Sequence, residues 1–409
     1  AFPVTNSKNL LAALGLALAT VNFYSRYTHL MNKGLLNIIV IASLVSLVGL
    51  FSVTLNNTPD YEYATYIVSF FVWVFAAYFT VNVIKWIHGE LSVRVVCNYL
   101  ILVSVLQCIS VLLIDTYPSF ENIVNNNFVG LAEIGKIERK YGIGAWLDVG
   151  GSRFAVVLII ISYLLTREKV TSSIKAMLLY IIAFIFIFIV GSMVGRTTSV
   201  GGGVGLAYLL WYNRASVFSP KNRKFVFLFL MMAIAGVAIS VYYYNNNAAF
   251  RENVRFAFEG FFNWWEKGEW QTTSTDRWQT MFIWPDNMKT WLIGDGYFDG
   301  PSDIDPYYVG PFNPGFYKWT DIGYLRFIFY FGLLGLSLFI IYFCKVTEYC
   351  ISRFKEYKSM FLLLLLFNFV LWFKVSTDIF LVFALFLCVE GKEDVERETI
   401  NEERLTISG

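Results

Sequence analysis

The stretch Ile174-Lys175-Ala176-Met177-Leu178-Leu179-Tyr180-Ile181-Ile182-Ala183-Phe184-Ile185-Phe186-Ile187-Phe188-Ile189-Val190-Gly191-Ser192-Met193-Val194 decides the class of fold. Its one charge, Lys175, lies at the start, and the apolar run behind it matches the roughly 20 residues a helix needs to cross hydrocarbon. Lipid offers no hydrogen-bond partners, so a crossing segment must pair its backbone groups within a helix or in a closed barrel. A barrel strand would place a polar residue at every second position, and this stretch does not. Comparable blocks occur at 9–24, 35–55, 63–84, 93–114, 151–166, 199–212, 225–244, 322–344, 360–373 and 375–389, giving about eleven expected spans. The expected fold is an all-α polytopic membrane bundle.

Composition agrees with that class. The chain is 57% hydrophobic and only 15% charged, with a mean hydropathy of +0.56, an excess that a soluble domain has no place for. The net charge of +2 selects no partner, and no basic stretch is interleaved with aromatic residues, so a nucleic-acid partner is not expected. The five cysteines, Cys97, Cys108, Cys344, Cys350 and Cys388, form no CxxC pair, which argues against both a disulfide framework and a zinc site. The opening Ala1-Phe2-Pro3 lacks the basic region of a cleavable signal peptide.

Lysine and arginine in short loops set the orientation. Arg26 with Lys33, Lys85 with Arg94, Arg167 with Lys169 and Lys175, and the basic loops 214–224 and 345–358 mark the expected cytoplasmic side, together with the charged tail 391–409. The acidic turn 60–62 and the long segments 115–150 and 245–320 then lie outside. Eleven spans put the N-terminus outside; a further helix ahead of Ala1 would bring both ends into the cytoplasm. The expected divisions are an N-terminal bundle (1–244, with the outer segment 115–150), a large outer loop (245–320), C-terminal membrane helices (321–390) and the tail.

At roughly 75 residues the loop 245–320 exceeds what a connection needs, and loops of that size are usually functional. Residues 248–265 have the pattern of an amphipathic helix, with Phe250, Val254, Phe258, Phe261 and Phe262 near one face. Trp264, Trp265 and Trp270 follow, as in a helix at the lipid–water boundary. The remainder, rich in Gly, Pro, Asp and Tyr, is expected to be irregular.

Charges at the ends of membrane helices are the candidate chemistry, because the bilayer makes them costly. Arg153 opens a span in Gly150-Gly151-Ser152-Arg153-Phe154. Arg196 stands between two apolar blocks with no carboxylate nearby in sequence, and Arg277 lies in Ser274-Thr275-Asp276-Arg277-Trp278. Asp321 and Arg326 begin the span at 322–344. A guanidinium fork suits diphosphate oxygens, so several arginines converging would make an anion site; each one alone would equally snorkel to headgroups or pair locally. Thr320 and Asp321 precede an apolar run, so a helix-capping role and a functional carboxylate are both open. The run Gly201-Gly202-Gly203-Val204-Gly205 lacks the Gly-Lys-Ser/Thr ending of a phosphate loop and fits close helix packing better. Asp295, Asp299, Asp303 and Asp305 do not follow the spacing of a calcium loop. Both histidines, His29 and His88, fall on the expected cytoplasmic side, which leaves an outer reaction without a histidine base.

Three stretches resemble the O-antigen polymerase and O-antigen ligase superfamily of membrane glycosyltransferases. Gly191-Ser192-Met193-Val194-Gly195-Arg196-Thr197 is similar to its small-residue–Arg–Thr helix junction. Ser274 to Trp278 with Trp291-Leu292-Ile293-Gly294-Asp295-Gly296-Tyr297 resembles part of its large loop. Asp321-Ile322-Gly323-Tyr324-Leu325 through Phe331-Gly332-Leu333-Leu334-Gly335 resembles the helix leaving that loop. The resemblance covers residues 150 to 335 and rests on the order of loose motifs.

It implies a GT-C-like bundle in a bacterial inner membrane, with the active site facing the periplasm. The implied donor and acceptor are undecaprenyl-diphosphate-linked oligosaccharides, with no metal or other cofactor. Carried over by position, Arg196 and Arg277 would hold the donor diphosphate, with Arg153, Arg255, Tyr324 and Arg326 as further substrate contacts. The ligases carry a histidine where this chain has Asp321, so the resemblance leans to the polymerase branch, with Asp321 contacting the attacking hydroxyl. Membrane lipids and a chain-length regulator are the other implied partners. A ligase, or a flippase for lipid-linked oligosaccharides, is the competing expectation.

Overall fold

The computed structural model describes residues 6–26, 33–128, 140–167, 170, 172–213 and 220–390. The charged tail 391–409 and most of the basic loop 214–224 therefore lie outside the described residues. Among the described residues the structure is helical with no strand, and one isolated bridge joins Asp299 to Phe316. Among the described residues six helices are long and apolar enough to cross a membrane: Lys33–Asn56 (α2), Tyr66–His88 (α3), Val93–Thr116 (α4), Leu147–Leu164 (α6, after the short helix Pro118–Asn127, α5), Ile174–Val194 (α7) and Gly323–Arg353 (α15). The protein is therefore an all-α, multi-pass membrane protein. Helices also coincide with the other expected spans, at Ser7–Arg26 (α1), Thr197–Asn213 (α8), Pro220–Asn246 (α9), Lys358–Leu371 (α16) and Phe380–Leu387 (α17).

The chain forms two compact units, one made of residues 1–96 and 277–409, the other of 97–276. The long segment 245–320 is thus shared between them. In the first unit α1 packs along α3 so closely that a Cβ at Gly15 would fall inside the backbone of Phe75. The core of this unit is aromatic. Phe339 stacks on Trp372 with ring centroids 5.2 Å apart, and Tyr63, Phe327 and Phe331 meet at edge-to-face distances of 5.4–6.1 Å or stack in parallel. Such pairs add to the area they bury, because the ring edge of one meets the negative face of another.

Two elements of the first unit differ from the sequence expectation. The span at 322–344 is not one straight helix: α15 is broken at Phe331 (φ −135°, ψ 18°) and Gly332 (φ 67°, ψ −173°). The break frees the carbonyls of Phe329 and Tyr330, and they accept instead from the amides of Asp295 (2.6 Å) and Gly296 (3.1 Å). Non-helical backbone inside a membrane helix needs this kind of rescue. The second difference is the span at 375–389, where only Phe380–Leu387 is helical. At 8 residues it is too short to cross straight. Residues 374–379 run irregularly, and side chains take the place of helical bonds: Asn368 Oδ1 accepts from Ile379 N, and Asp378 Oδ1 accepts from Phe380 N.

In the second unit, α6 is buried at every residue from Phe154 to Leu165. Small residues bring its neighbours in. A Cβ at Gly151 would lie 3.2 Å from Gly195, and one at Gly191 would lie 3.0 Å from the Phe154 ring. Gly201 faces the backbone of Ala155, and Gly205 faces Ser162. The glycine run is thus a helix-packing surface for α6 and α7, the close approach that small residues permit between membrane helices.

The expected amphipathic helix over 248–265 is two helices, Ala248–Ala257 (α10) and Glu259–Lys267 (α11), divided at Phe258 (φ −117°, ψ 27°). Asn247 caps the first by accepting from Phe250 N. Gly260 allows the division, since the Trp270 ring packs where its Cβ would stand. Shorter helices Thr273–Thr280 (α12), Met288–Leu292 (α13) and Pro301–Ile304 (α14) interrupt the part expected to be irregular.

Candidate functional site

The expected site residues divide between the units. Arg153, Arg196 and Arg255 belong to the second; Arg277, Asp321, Tyr324 and Arg326 belong to the first.

In the second unit, Gly195 (φ −155°) ends α7, and Arg196 leads into α8 at a junction too tight for a larger residue at Gly195, where a Cβ would meet the Leu147 carbonyl and Gly151. Arg196 then reaches a carboxylate that sequence proximity does not reveal. Its Nη2 donates to Glu259 Oε2 at 2.6 Å, its Nε donates to the Phe256 carbonyl at 3.1 Å, and its guanidinium lies 4.3 Å from the centre of the Phe256 ring. The two charged side chains retain 17% and 24% exposure, so the pair is neither buried nor freely solvated.

Glu259 and Phe256 also line an open cleft of about 360 Å³, with Arg255, Phe262 and Asn263. Arg255, in α10, repeats the pattern of Arg196. It donates to Glu266 (2.8 Å) and to the Tyr244 hydroxyl (3.2 Å), and it sits 5.0 Å from the Phe262 ring centre. These bonds raise the Arg255 pKa further and lower that of Glu266. One member of each arginine–glutamate pair, Glu259 and Arg255, therefore lines the cleft, and each arginine rests on a phenylalanine ring. Cations and planar rings side by side suit a ligand carrying both phosphate and sugar. Arg153 is half-buried in α6, and no hydrogen bond or ion pair holds it among the described residues.

In the first unit the Arg326 side chain is 5% exposed and caged. Its Nη2 donates to Asp299 Oδ1 (2.8 Å) and to the Phe298 carbonyl (3.0 Å), and its Nη1 donates to Ser376 Oγ (2.9 Å). The rings of Phe298 and Phe316 lie 3.5 and 4.3 Å from its guanidinium carbon. Asp321 Oδ1 stands 3.9 Å from Arg326 Nη1. Asp321 does not cap α15: Ile322 is the N-cap without a side-chain bond, and Thr320 Oγ1 accepts from Ile322 N. Tyr324 donates its hydroxyl to the Phe369 carbonyl. The backbone of Arg277 lies in α12; its side chain is outside the described residues. Beside it, Trp278 Nε1 donates to the Phe373 carbonyl, and the ring packs on Ile322, Leu325 and Phe329.

The acidic string has separate duties. Asp295 accepts from Thr290 and Tyr317, Asp303 accepts from Gly315 N, and Asp305 accepts from Tyr297 and Tyr307 N. Burial and these carboxylates push the Tyr297 and Tyr317 hydroxyls upward in pKa. The buried Asp60 carboxylate, which sequence reading placed only in an acidic turn, accepts from Phe298 N (2.6 Å) and Asp299 N (3.0 Å). It lines a second open cleft of about 350 Å³ with Glu62 and Asp299. Glu62 is raised above the usual carboxylate range by burial and then by Asp299 and Asp60; Asp299 is raised by burial against the lowering effect of Arg326. Among the described residues no group of three or more His, Cys, Asp or Glu side chains is arranged to hold a metal ion.

Sequence reading had no means of finding Glu259, because its relation to Arg196 spans sixty-odd positions of chain. The apolar positions Phe250, Val254, Phe258, Phe261 and Phe262 keep one phase through the division of the helix, so no local signal marks it. Compared with protein-family models, with curated proteins and with solved structures, the chain matches none of them.

Proposed function

We propose that this protein is a surface-polysaccharide polymerase of the O-antigen type, which transfers a growing glycan from undecaprenyl diphosphate to a lipid-linked repeat unit at the periplasmic face of a bacterial inner membrane. The observation that carries the reading is Arg196. It stands at a membrane-helix junction, held against Phe256 and Glu259, two residues of a cleft that also presents the Arg255 guanidinium and the Phe262 ring. In such a transfer the acceptor hydroxyl attacks the anomeric carbon while the diphosphate leaves with the bonding electrons. Arginine groups positioned for the departing oxygens stabilise charge that develops only as the bond breaks. Arg255 and the rings of Phe256 and Phe262 supply contacts for the sugar next to the diphosphate. The roles of Arg277 and Asp321 rest on the resemblance and are tested by their own substitutions.

Purified protein given an undecaprenyl-diphosphate-linked repeat unit in the presence of a chelator yields a ladder at repeat-unit spacing. Arg196→Ala abolishes the ladder while the protein stays in the membrane, and near-normal polymer from that variant sinks the assignment. A single transfer to lipid A–core in place of a ladder identifies a ligase.

A flippase is the second reading, favoured by the break in α15, since transporters build their sites at discontinuous helices. Here the break is filled by the amides of Asp295 and Gly296, which leaves the polymerase reading ahead. Movement of the lipid-linked unit across vesicles without chain growth would reverse that order.

A further inference from the structure

We infer that Glu259 is a selectivity-determining counter-ion, which occupies Arg196 while the cleft is empty and yields only to an anion of higher charge, a diphosphate. The inference rests on the diphosphate reading of Arg196 given above and names the residue that sets its ligand class. A guanidinium at 17% exposure has lost much of its water, and leaving it unpaired is costly. The chain therefore provides an internal anion, one carboxylate in a 2.6 Å charge-assisted bond.

Glu259 differs in kind from the Phe256 carbonyl, to which Arg196 also donates. The Phe256 carbonyl is backbone within α10 and fixed, whereas Glu259 is the first residue of α11, its side chain faces the open cleft, and the backbone just before it is non-helical. A ligand entering the cleft reaches the Arg196–Glu259 bond from the carboxylate side. To displace it, the ligand must offer the guanidinium more than one negative charge and more than two oxygens. A diphosphate does so; a neutral sugar or a lone carboxylate does not. Discrimination between diphosphate and lesser anions thus comes from a competitor already in place, which raises the threshold for every ligand.

The test uses the full chain in detergent, with inorganic pyrophosphate as probe and acetate as control, followed by calorimetry. Wild type binds pyrophosphate and ignores acetate. With the competitor gone, Glu259→Ala binds pyrophosphate about tenfold more tightly, a change of about 1.4 kcal/mol, and acetate now binds as well. Glu259→Gln, which keeps the shape and an acceptor oxygen without the charge, follows Glu259→Ala and guards against a folding defect. Arg196→Ala binds neither anion. Unchanged or weaker pyrophosphate binding in both Glu259 variants, with loss in Arg196→Ala, overturns the inference and leaves the diphosphate reading standing. No pyrophosphate binding by wild type and Glu259→Ala alike, or binding indifferent to Arg196, overturns the diphosphate reading itself.

Discussion

Replacing Arg326 by alanine tests whether its cage is architecture. The variant removes three hydrogen bonds, the ion pairs to Asp299 and Asp321 and two ring contacts from a side chain that is 5% exposed. Breaking a buried ion pair costs about 3–5 kcal/mol. Asp299 is 49% exposed, so water supports the abandoned carboxylate and the lower end applies. Loss of the guanidinium–ring contacts adds about 1 kcal/mol. The terms share atoms and do not sum fully, which gives about 3–4 kcal/mol in all. In a unit of this size each kcal/mol moves the melting temperature by about 2–4 °C, so a fall of about 10 °C follows.

The assay is thermal unlocking of buried thiols in detergent, in a Cys344→Ser background because that cysteine is the exposed one. Cys350 is buried in the first unit and Cys108 in the second, so labelling reports the units separately. Arg326→Ala lowers the temperature at which Cys350 labels and leaves Cys108 alone. Arg326→Lys keeps the charge but not the planar fork and falls between, and Asp299→Asn costs about 1 kcal/mol or less. A shift below about 2 °C in Arg326→Ala would refute the cage and return Arg326 to the substrate contacts.

Gly332→Ala places a Cβ against the Leu292 carbonyl in a backbone region reserved for glycine. A cost above about 3 kcal/mol is expected, read as loss of folded protein after membrane extraction, and normal yield would show that the break is not required. Glu62→Gln tests the acidic cleft through pH. Because the folded-state pKa of Glu62 is raised, its ionisation costs stability as pH rises above the ordinary carboxylate range, whereas below that range both states are protonated and nothing is lost. The variant therefore melts higher than wild type near pH ~7, and the gap closes towards pH ~4; a gap independent of pH contradicts the raised pKa.

Much of the fold was legible because membrane helices announce themselves locally. Each apolar block overlaps a helix, and the glycine run packs where small residues should. What was not legible depends on partners distant in sequence. Hydropathy runs unbroken through Phe331 and Gly332, and the break is supported by partners distant in sequence, the amides of Asp295 and Gly296 and the Ser52 hydroxyl. The last block reads as a span, yet Asn368 and Asp378 hold its first residues out of the helix. At the candidate site the sequence singled out Arg196 for its isolation, and the fold supplies Glu259. Arg326 was noticed for its charge, but Asp299, Ser376 and the two rings that surround it come from three separate segments.

The break in α15 also bears on how the chain enters the membrane. The carbonyls of Phe329 and Tyr330 that the break frees within the membrane helix are satisfied from outside it, by the amides of Asp295 and Gly296 and, for Tyr330, by Ser52 as well, so α15 is no autonomous insertion unit. Its first eight residues become stable there only after 294–296 has turned back upon them, and Ser52 and Asn56 at the end of α2 anchor that return by binding the Tyr330 and Gly294 carbonyls. The expected order of assembly is α2 in place first, the segment docked against it next, and α15 closing last. An insertion of flexible residues between Gly296 and Gly323 would delay the last event without touching any contact, and the delay would be visible as prolonged protease access to α15 during synthesis.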